Sequence, residues 1–169
     1  MIRTAKQYVE SLKDGRDLYF EGEKVADITK HPRFRASINA VAMSYQLAND
    51  PKWRDLLTVQ EKGERIMLLW NQPKTAEDLV KRRQVYITTM RMGARVPGMG
   101  PDALSASGIV AARIDKQMGT HYSDAVEDYR EHLKKTDPAI TGAITDVKGN
   151  RGLRPSACIL SSGKRAGFL

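Results

Sequence analysis

Cysteine is nearly absent from this 169-residue chain: Cys158 stands alone. One thiol can form no internal disulfide and cannot supply a four-thiolate metal or iron–sulfur site. Long hydrophobic runs are missing as well. The longest, Ile66-Met67-Leu68-Leu69-Trp70, falls far short of the roughly 20 apolar residues that span a bilayer, so no membrane segment is expected. The opening Met1-Ile2-Arg3-Thr4-Ala5-Lys6 has no apolar stretch behind its charges, and no secretory leader is expected. A soluble, cytoplasmic protein is the expectation. Histidine is scarce too. His31, His121 and His132 are too dispersed for a metal motif on one helix, and no metal site is predicted.

General catalytic signatures are also lacking. Gly98-Met99-Gly100 resembles a dinucleotide turn, but Pro101 stands where a helix should open and no strand precedes it. Ser162-Gly163-Lys164 resembles the end of a phosphate loop, yet Arg165 replaces the Ser or Thr that would hold a metal ion. No Gly-x-Ser-x-Gly elbow occurs. No catalytic residue is predicted.

What the chain does have is the balance of one soluble globular domain, 41% hydrophobic and 28% charged. Its 28 Lys and Arg exceed its 20 Asp and Glu, a net charge of +8, which suits anionic partners. The basic residues, from Lys81-Arg82-Arg83 to Lys164-Arg165, are spread along the chain and interleaved with acids. No nucleic-acid-binding signature accompanies them. A basic nucleic-acid binder is therefore kept only as an alternative.

Hydrophobic spacing predicts a mainly α protein of five or six helices with two short β-hairpins. Thr4 and Gln7 have capping-box spacing, and Ala5, Tyr8, Val9 and Leu12 share a face, which predicts a helix over 4–13. Leu18–Phe20 and Glu23–Val25 flank Glu21-Gly22 as a hairpin. Pro32 opens a helix with Phe34, Ile38, Val41 and Tyr45 inward. A short helix follows near Trp53–Leu57, and a strand-like run leads from the Glu61–Glu64 turn to Trp70. Thr75 and Asp78 start a helix whose predicted core side is Leu79, Val80, Tyr86, Ile87 and Met90. Pro101 and Asp102 launch another through Leu104, Ile109, Val110 and Ile114. Ser123 caps a last helix with Val126, Tyr129 and Leu133 inward. Asp137-Pro138 restarts a short segment to Thr145.

Asp124, Glu127, Asp128 and Glu131 crowd one helix, with Arg130, Lys134 and Lys135 at salt-bridge spacing. That predicts an ion-paired surface face in preference to an acid/base pair. The Lys148-Gly149-Asn150-Arg151 loop is a candidate for anion contact, since glycine admits close backbone approach and Lys and Arg donate charge-assisted hydrogen bonds.

Five segments, in order, carry a family resemblance: Thr4–Leu12, Gly22–Val25, His31-Pro32 with Arg35-Ala36, Thr75–Arg83, and Thr145–Ser156. Over residues 1–156 the chain resembles the N-terminal part of the flavoprotein family that contains 4-hydroxyphenylacetate 3-hydroxylase and 4-hydroxybutyryl-CoA dehydratase. The resemblance implies the helical N-terminal domain of an acyl-CoA-dehydrogenase-like fold. It also implies reduced FAD and O2 as co-reactants in aromatic hydroxylation, a flavin reductase partner, and a homo-oligomer. By the same resemblance Lys148, Gly149, Asn150 and Arg151 border the flavin.

Two branches divide the family. The dehydratase branch holds an iron–sulfur cluster through two cysteines, aligned here with Ala94 and Gly98, so a relative in that branch would lack the cluster. The hydroxylase branch binds its phenol through an Arg, a Tyr and a His, aligned here with Met99, Ala103 and Gly142. These three would shape the substrate side with no hydrogen-bonding chemistry of their own. Residues 157–169 are expected to be a tail unrelated to the family, and disordered. A member interrupted before its central β-domain, not retaining the flavin of the complete family member and inactive alone, is the expectation. A genuine stand-alone helical domain, serving as a non-catalytic interaction module, is the alternative.

Overall fold

The computed structural model describes residues 2–94 and 99–140, with Met99 described by its backbone alone. Helix α1 (Ala5–Glu10) is opened by Thr4, whose side chain accepts from the Gln7 amide while Gln7 reaches back to the Thr4 amide, the capping box that the spacing predicts. Strands β1 (Tyr19–Phe20) and β2 (Glu23–Lys24) pair antiparallel about Glu21-Gly22, and Gly22 supplies the left-handed φ of +87° that this tight turn requires. Pro32 then starts α2 (Pro32–Asn49), with the His31 side chain accepting from the Arg33 amide as N-cap. Tyr8, Ile38 and Tyr45 form the buried seam between α1 and α2, and the Tyr8 and Tyr45 rings stack at 5.3 Å.

The short α3 (Arg54–Leu57) runs directly into a second hairpin of β3 (Thr58–Glu61) and β4 (Glu64–Met67), paired in register Thr58 with Met67. The strand-like run expected to reach Trp70 stops at Met67, and Leu68–Trp70 is one turn of 3-10 helix. All three of its side chains are buried. They join two core clusters: Leu68 and Leu69 pack with Leu47, Leu57 and Val85, whereas Trp70 packs with Leu104 and Leu133. This apolar turn is the centre of the molecule. Around it lie α4 (Ala76–Arg91), α5 (Met99–Met118) and α6 (Tyr122–Thr136).

The helix faces depart from the hydrophobic pattern. On α4 the buried residues are Arg82, Val85 and Thr89, while Leu79, Val80 and Met90 are exposed and Tyr86 and Ile87 are half-buried. On α5, Leu104, Ser105 and Ala111 are buried and Ile109 and Val110 are exposed. On α6, Leu133 is buried as expected, but Tyr129 is exposed and Arg130 and Lys134 take inward places. The cause lies in the central turn. Its carbonyls have few partners within the chain's regular structure, and a buried carbonyl without a donor is costly. Arg82 donates to the Leu69 and Asn71 carbonyls at 3.3 and 2.8 Å, and Arg130 donates to the Trp70 carbonyl at 3.3 Å. Two arginines therefore face inward and turn apolar residues of their own helices outward.

The cap of α6 also differs from expectation. His121 occupies the N-cap position without a side-chain hydrogen bond, and Asp115 of α5 does the capping from across the turn. It accepts from the Tyr122 and Ser123 amides at 2.8 Å each, and from the Thr120 and Ser123 hydroxyls. Burial pushes this carboxyl up, but those hydrogen bonds outweigh it and hold its pKa well below the ordinary 3.8. A depressed folded pKa means stability that is present above pH 3.8 and lost as pH falls below it. Asp115→Asn is expected to lower the melting temperature at pH 7 and to flatten its decline below that pH. Thermal unfolding followed by circular dichroism across pH checks both effects, and an unchanged acid slope would contradict the assignment.

Candidate functional site

Helix α5 begins beside α4, and its first turn is tied there by one carboxylate. Asp102 accepts from Arg82 at 2.8 Å and from the Tyr86 hydroxyl at 2.7 Å. Arg82 is itself held by the two carbonyls of the central turn, so the chain of contacts runs from the core to the start of α5. Burial, then the neighbouring Asp102 carboxylate, pushes the Tyr86 phenol well above its ordinary 10. It stays a hydrogen-bond donor at any physiological pH.

Anchored in this way, α5 presents Gly100, Ala103, Leu104 and Ser107 along one side of a groove of about 400 Å³. Across it, α6 contributes Ala125, Val126, Tyr129 and Leu133, and Ile140 closes one end. Gly100 is where a side chain would not fit: a Cβ there would lie 2.6 Å from Ile140 Cδ1. The floor is the Trp70, Leu104 and Leu133 cluster. Beneath it Arg130, 1% exposed, donates to Glu127 at 3.0 Å, Gln72 at 2.6 Å, and the Trp70 and Leu104 carbonyls at 3.3 Å each. The i,i+3 pairs Arg130–Glu127 and Lys134–Glu131 form as their spacing predicts. Their cations are buried, however, and serve the interior rather than a solvated face.

Of the residues singled out in the sequence, Ala103 lies exposed on the groove wall and Met99 is the first residue of α5. Gly142 and the loop residues Lys148, Gly149, Asn150 and Arg151 lie outside the described residues. Arg82 and Arg130, which are buried, and the more exposed Asp102 position the groove, and no sequence motif marks any of the three for that role. The one signal in advance is that Asp102 follows Pro101 at a helix start.

This packing of helices around two minor hairpins is the helical N-terminal domain of an acyl-CoA-dehydrogenase-like fold. The chain belongs to the family described as 4-hydroxyphenylacetate 3-hydroxylase N terminal, whose pattern matches residues 4–161. It is 38% identical over 164 residues to the 4-hydroxybutyryl-CoA dehydratase/vinylacetyl-CoA-Δ-isomerase of Clostridium aminobutyricum, covering 93% of this chain and 33% of that protein. It is 36% identical over 157 residues to the oxygenase component of 4-hydroxyphenylacetate 3-monooxygenase from Thermus thermophilus, covering 92% and 32%. A solved structure of such an oxygenase component, complexed with FAD and 4-hydroxyphenylacetate, superposes with a TM-score of 0.72 at 34% identity, over 92% of this chain and 33% of that one. The chain thus spans about a third of the length of the relatives it matches.

An FAD needs donors for its diphosphate and for the polar edge of its ring. The groove's side chains offer two hydroxyls, on Ser107 and Tyr129, and no cation. Among the described residues this groove does not fit a whole FAD. Its apolar lining fits a small organic group.

Proposed function

We propose that the chain forms the helical wall of a cytoplasmic flavin-dependent oxidoreductase that hydroxylates an aromatic substrate with O2. Its reduced FAD comes from a partner reductase, and the working assembly is a homo-oligomer. The observation that carries this reading is the family match over residues 4–161, supported by a groove in which α5 presents Ala103. In this reading Lys148, Gly149, Asn150 and Arg151 contact the flavin, and Met99, Ala103 and Gly142 shape the substrate side. The described residues exclude water and set geometry. Asp102, held by Arg82 and Tyr86, fixes the first turn of α5, and Leu104 and Leu133 supply a dry floor. Water exclusion and orientation are the protein's share in such chemistry. Cluster-dependent dehydration is the weaker reading, because Ala94, aligned with one of the two cluster cysteines, is a methyl packed in the core.

The test is a chimera in which this chain replaces the corresponding third of the Thermus oxygenase component. The chimera is expected to bind reduced FAD, and Arg151→Ala is expected to weaken that binding about tenfold, as loss of one charge-assisted contact would. A chimera that melts like its parent yet binds no FAD would refute the proposal. The 169-residue chain alone, given reduced FAD, O2 and phenols, is expected to yield no hydroxylated product.

A further inference from the structure

We propose that the α5–α6 groove selects a neutral apolar ring and rejects an anionic one, which names the substrate class of the site. The inference rests on the reading above that this face is the substrate side. Its size comes first: about 400 Å³ lies in the range of sites for small organic molecules. Its lining comes second. Among the described residues, apart from the Ser107 and Tyr129 hydroxyls, every lining side chain is apolar or absent, and none is charged.

The third point is where the nearby cations have gone. Arg82 is taken by Asp102 and two carbonyls. Arg130 is taken by Glu127, Gln72 and two carbonyls beneath the floor. Lys134 lies between Glu61 and Glu131 at 2.9 Å from each. A carboxylate laid on the Leu104 and Leu133 floor would give up water there and gain no cation among the described lining residues, and an uncompensated charge against an apolar surface is disfavoured. A ring without charge loses little there and gains contact with Leu104, Val126 and Leu133.

Gly100 adds a shape requirement. Because no Cβ intervenes, the Ile140 side chain seats against α5 and ends the groove. The Tyr129 ring stands at the mouth, half exposed. The result is an open apolar groove with Ile140 at one end.

Two probes that share a ring isolate the charge: 4-methylphenol and 4-hydroxyphenylacetate. They are titrated, without flavin, into the full chain labelled at its Ile and Leu methyls and observed by NMR. 4-Methylphenol is expected to shift the Leu104, Leu133 and Ile140 methyls at concentrations at least about tenfold lower than 4-hydroxyphenylacetate requires. Ala103→Trp, at an exposed helix position, is expected to abolish the shifts while the circular dichroism spectrum stays unchanged. Ser107→Arg supplies the missing cation and is expected to narrow or reverse the preference. Equal or tighter binding of the carboxylate by the parent chain overturns the proposal. So does the absence of any methyl shift, or methyl shifts that follow protein dilution alone and so show a second copy covering the groove. Binding of 4-methylphenol beside a chimera that takes no FAD would leave the groove's selectivity standing and remove the oxidoreductase reading. An FAD-binding chimera whose groove is indifferent to charge would do the reverse.

Discussion

Arg130→Ala is expected to cost about 3–5 kcal/mol, through buried acceptors left without a donor and the void left behind, a large part of the roughly 5–15 kcal/mol that holds a domain folded. The residue is 1% exposed and its guanidinium makes four hydrogen bonds. Truncation leaves the Trp70 carbonyl and the Gln72 side-chain oxygen without this donor and takes a second donor from the helical Leu104 carbonyl, and each buried group left unpaired costs about 1–3 kcal/mol. It also opens a void against Gly108, whose Cα lacks a side chain where Arg130 Nη2 lies, 3.1 Å from an ideal Cβ position. Arg130→Met keeps the stem and fills part of the void but restores no donor, so it is expected to recover only a minority of the loss. Glu127 is the contrasting partner. Its side chain is 57% exposed, and Glu127→Gln is expected to cost no more than about 1 kcal/mol. Urea unfolding at fixed pH separates the two. If Arg130→Ala and Glu127→Gln shift the midpoint alike, the carbonyl contacts do not carry the stability assigned to them.

Element positions were legible because they depend on local chemistry. Thr4 with Gln7 and Thr75 with Asp78 form their capping boxes, Pro32 opens α2, and Glu21-Gly22 makes its turn. Each is decided within a few residues. Helix orientation was not legible, and α4 shows why. Its apolar residues Leu79, Val80 and Met90 form as good a stripe as Arg82, Val85 and Thr89 form a poor one, yet the poor one is buried. The deciding partners are carbonyls of residues 69 and 71, on a turn whose 3-10 geometry leaves them facing α4. Nothing in the hydrophobic pattern reports an unpaired carbonyl elsewhere in the chain. The capping of α6 failed in the same way, since Ser123 was the local candidate and Asp115, eight residues earlier, is the acceptor. Of the candidate site, family likeness singled out Ala103, which lines the groove, but the groove itself depends on Gly100 lacking a side chain opposite Ile140. That is a tertiary fit between residues far apart in the chain.

The same principle, polar groups answering a need created elsewhere, makes Asp137 the second position of large effect. It ends α6 in the left-handed region, at φ 43°, and is 3% exposed. One carboxylate oxygen accepts from the Trp70 indole at 2.9 Å and the other from the Arg3 amide at 3.1 Å. Its backbone carbonyl accepts from the Tyr45 hydroxyl at 2.9 Å. This residue joins the N-terminal segment, α2, the central turn and α6. Asp137→Asn tolerates the backbone angle, but an amide has one acceptor oxygen for two donors, whereas both oxygens of a carboxyl can accept in either protonation state. The expected loss is about 2–4 kcal/mol at pH 7, from an unpaired buried donor and the misplaced amide. Burial pushes the Asp137 pKa above the ordinary 3.8, against the hydrogen bonds that lower it. With the folded pKa raised, its contribution to stability is full below pH 3.8 and declines as pH rises through the folded value, opposite in sign to Asp115. The parent should therefore lose stability on this account just above pH 3.8, and Asp137→Asn should remove that loss. The penalty for the substitution is then larger at about pH 3 than at about pH 7, which urea midpoints for both proteins at the two pH values can check. A penalty that grows toward neutral pH would mean that the buried carboxylate is stabilised, not strained, by its charge.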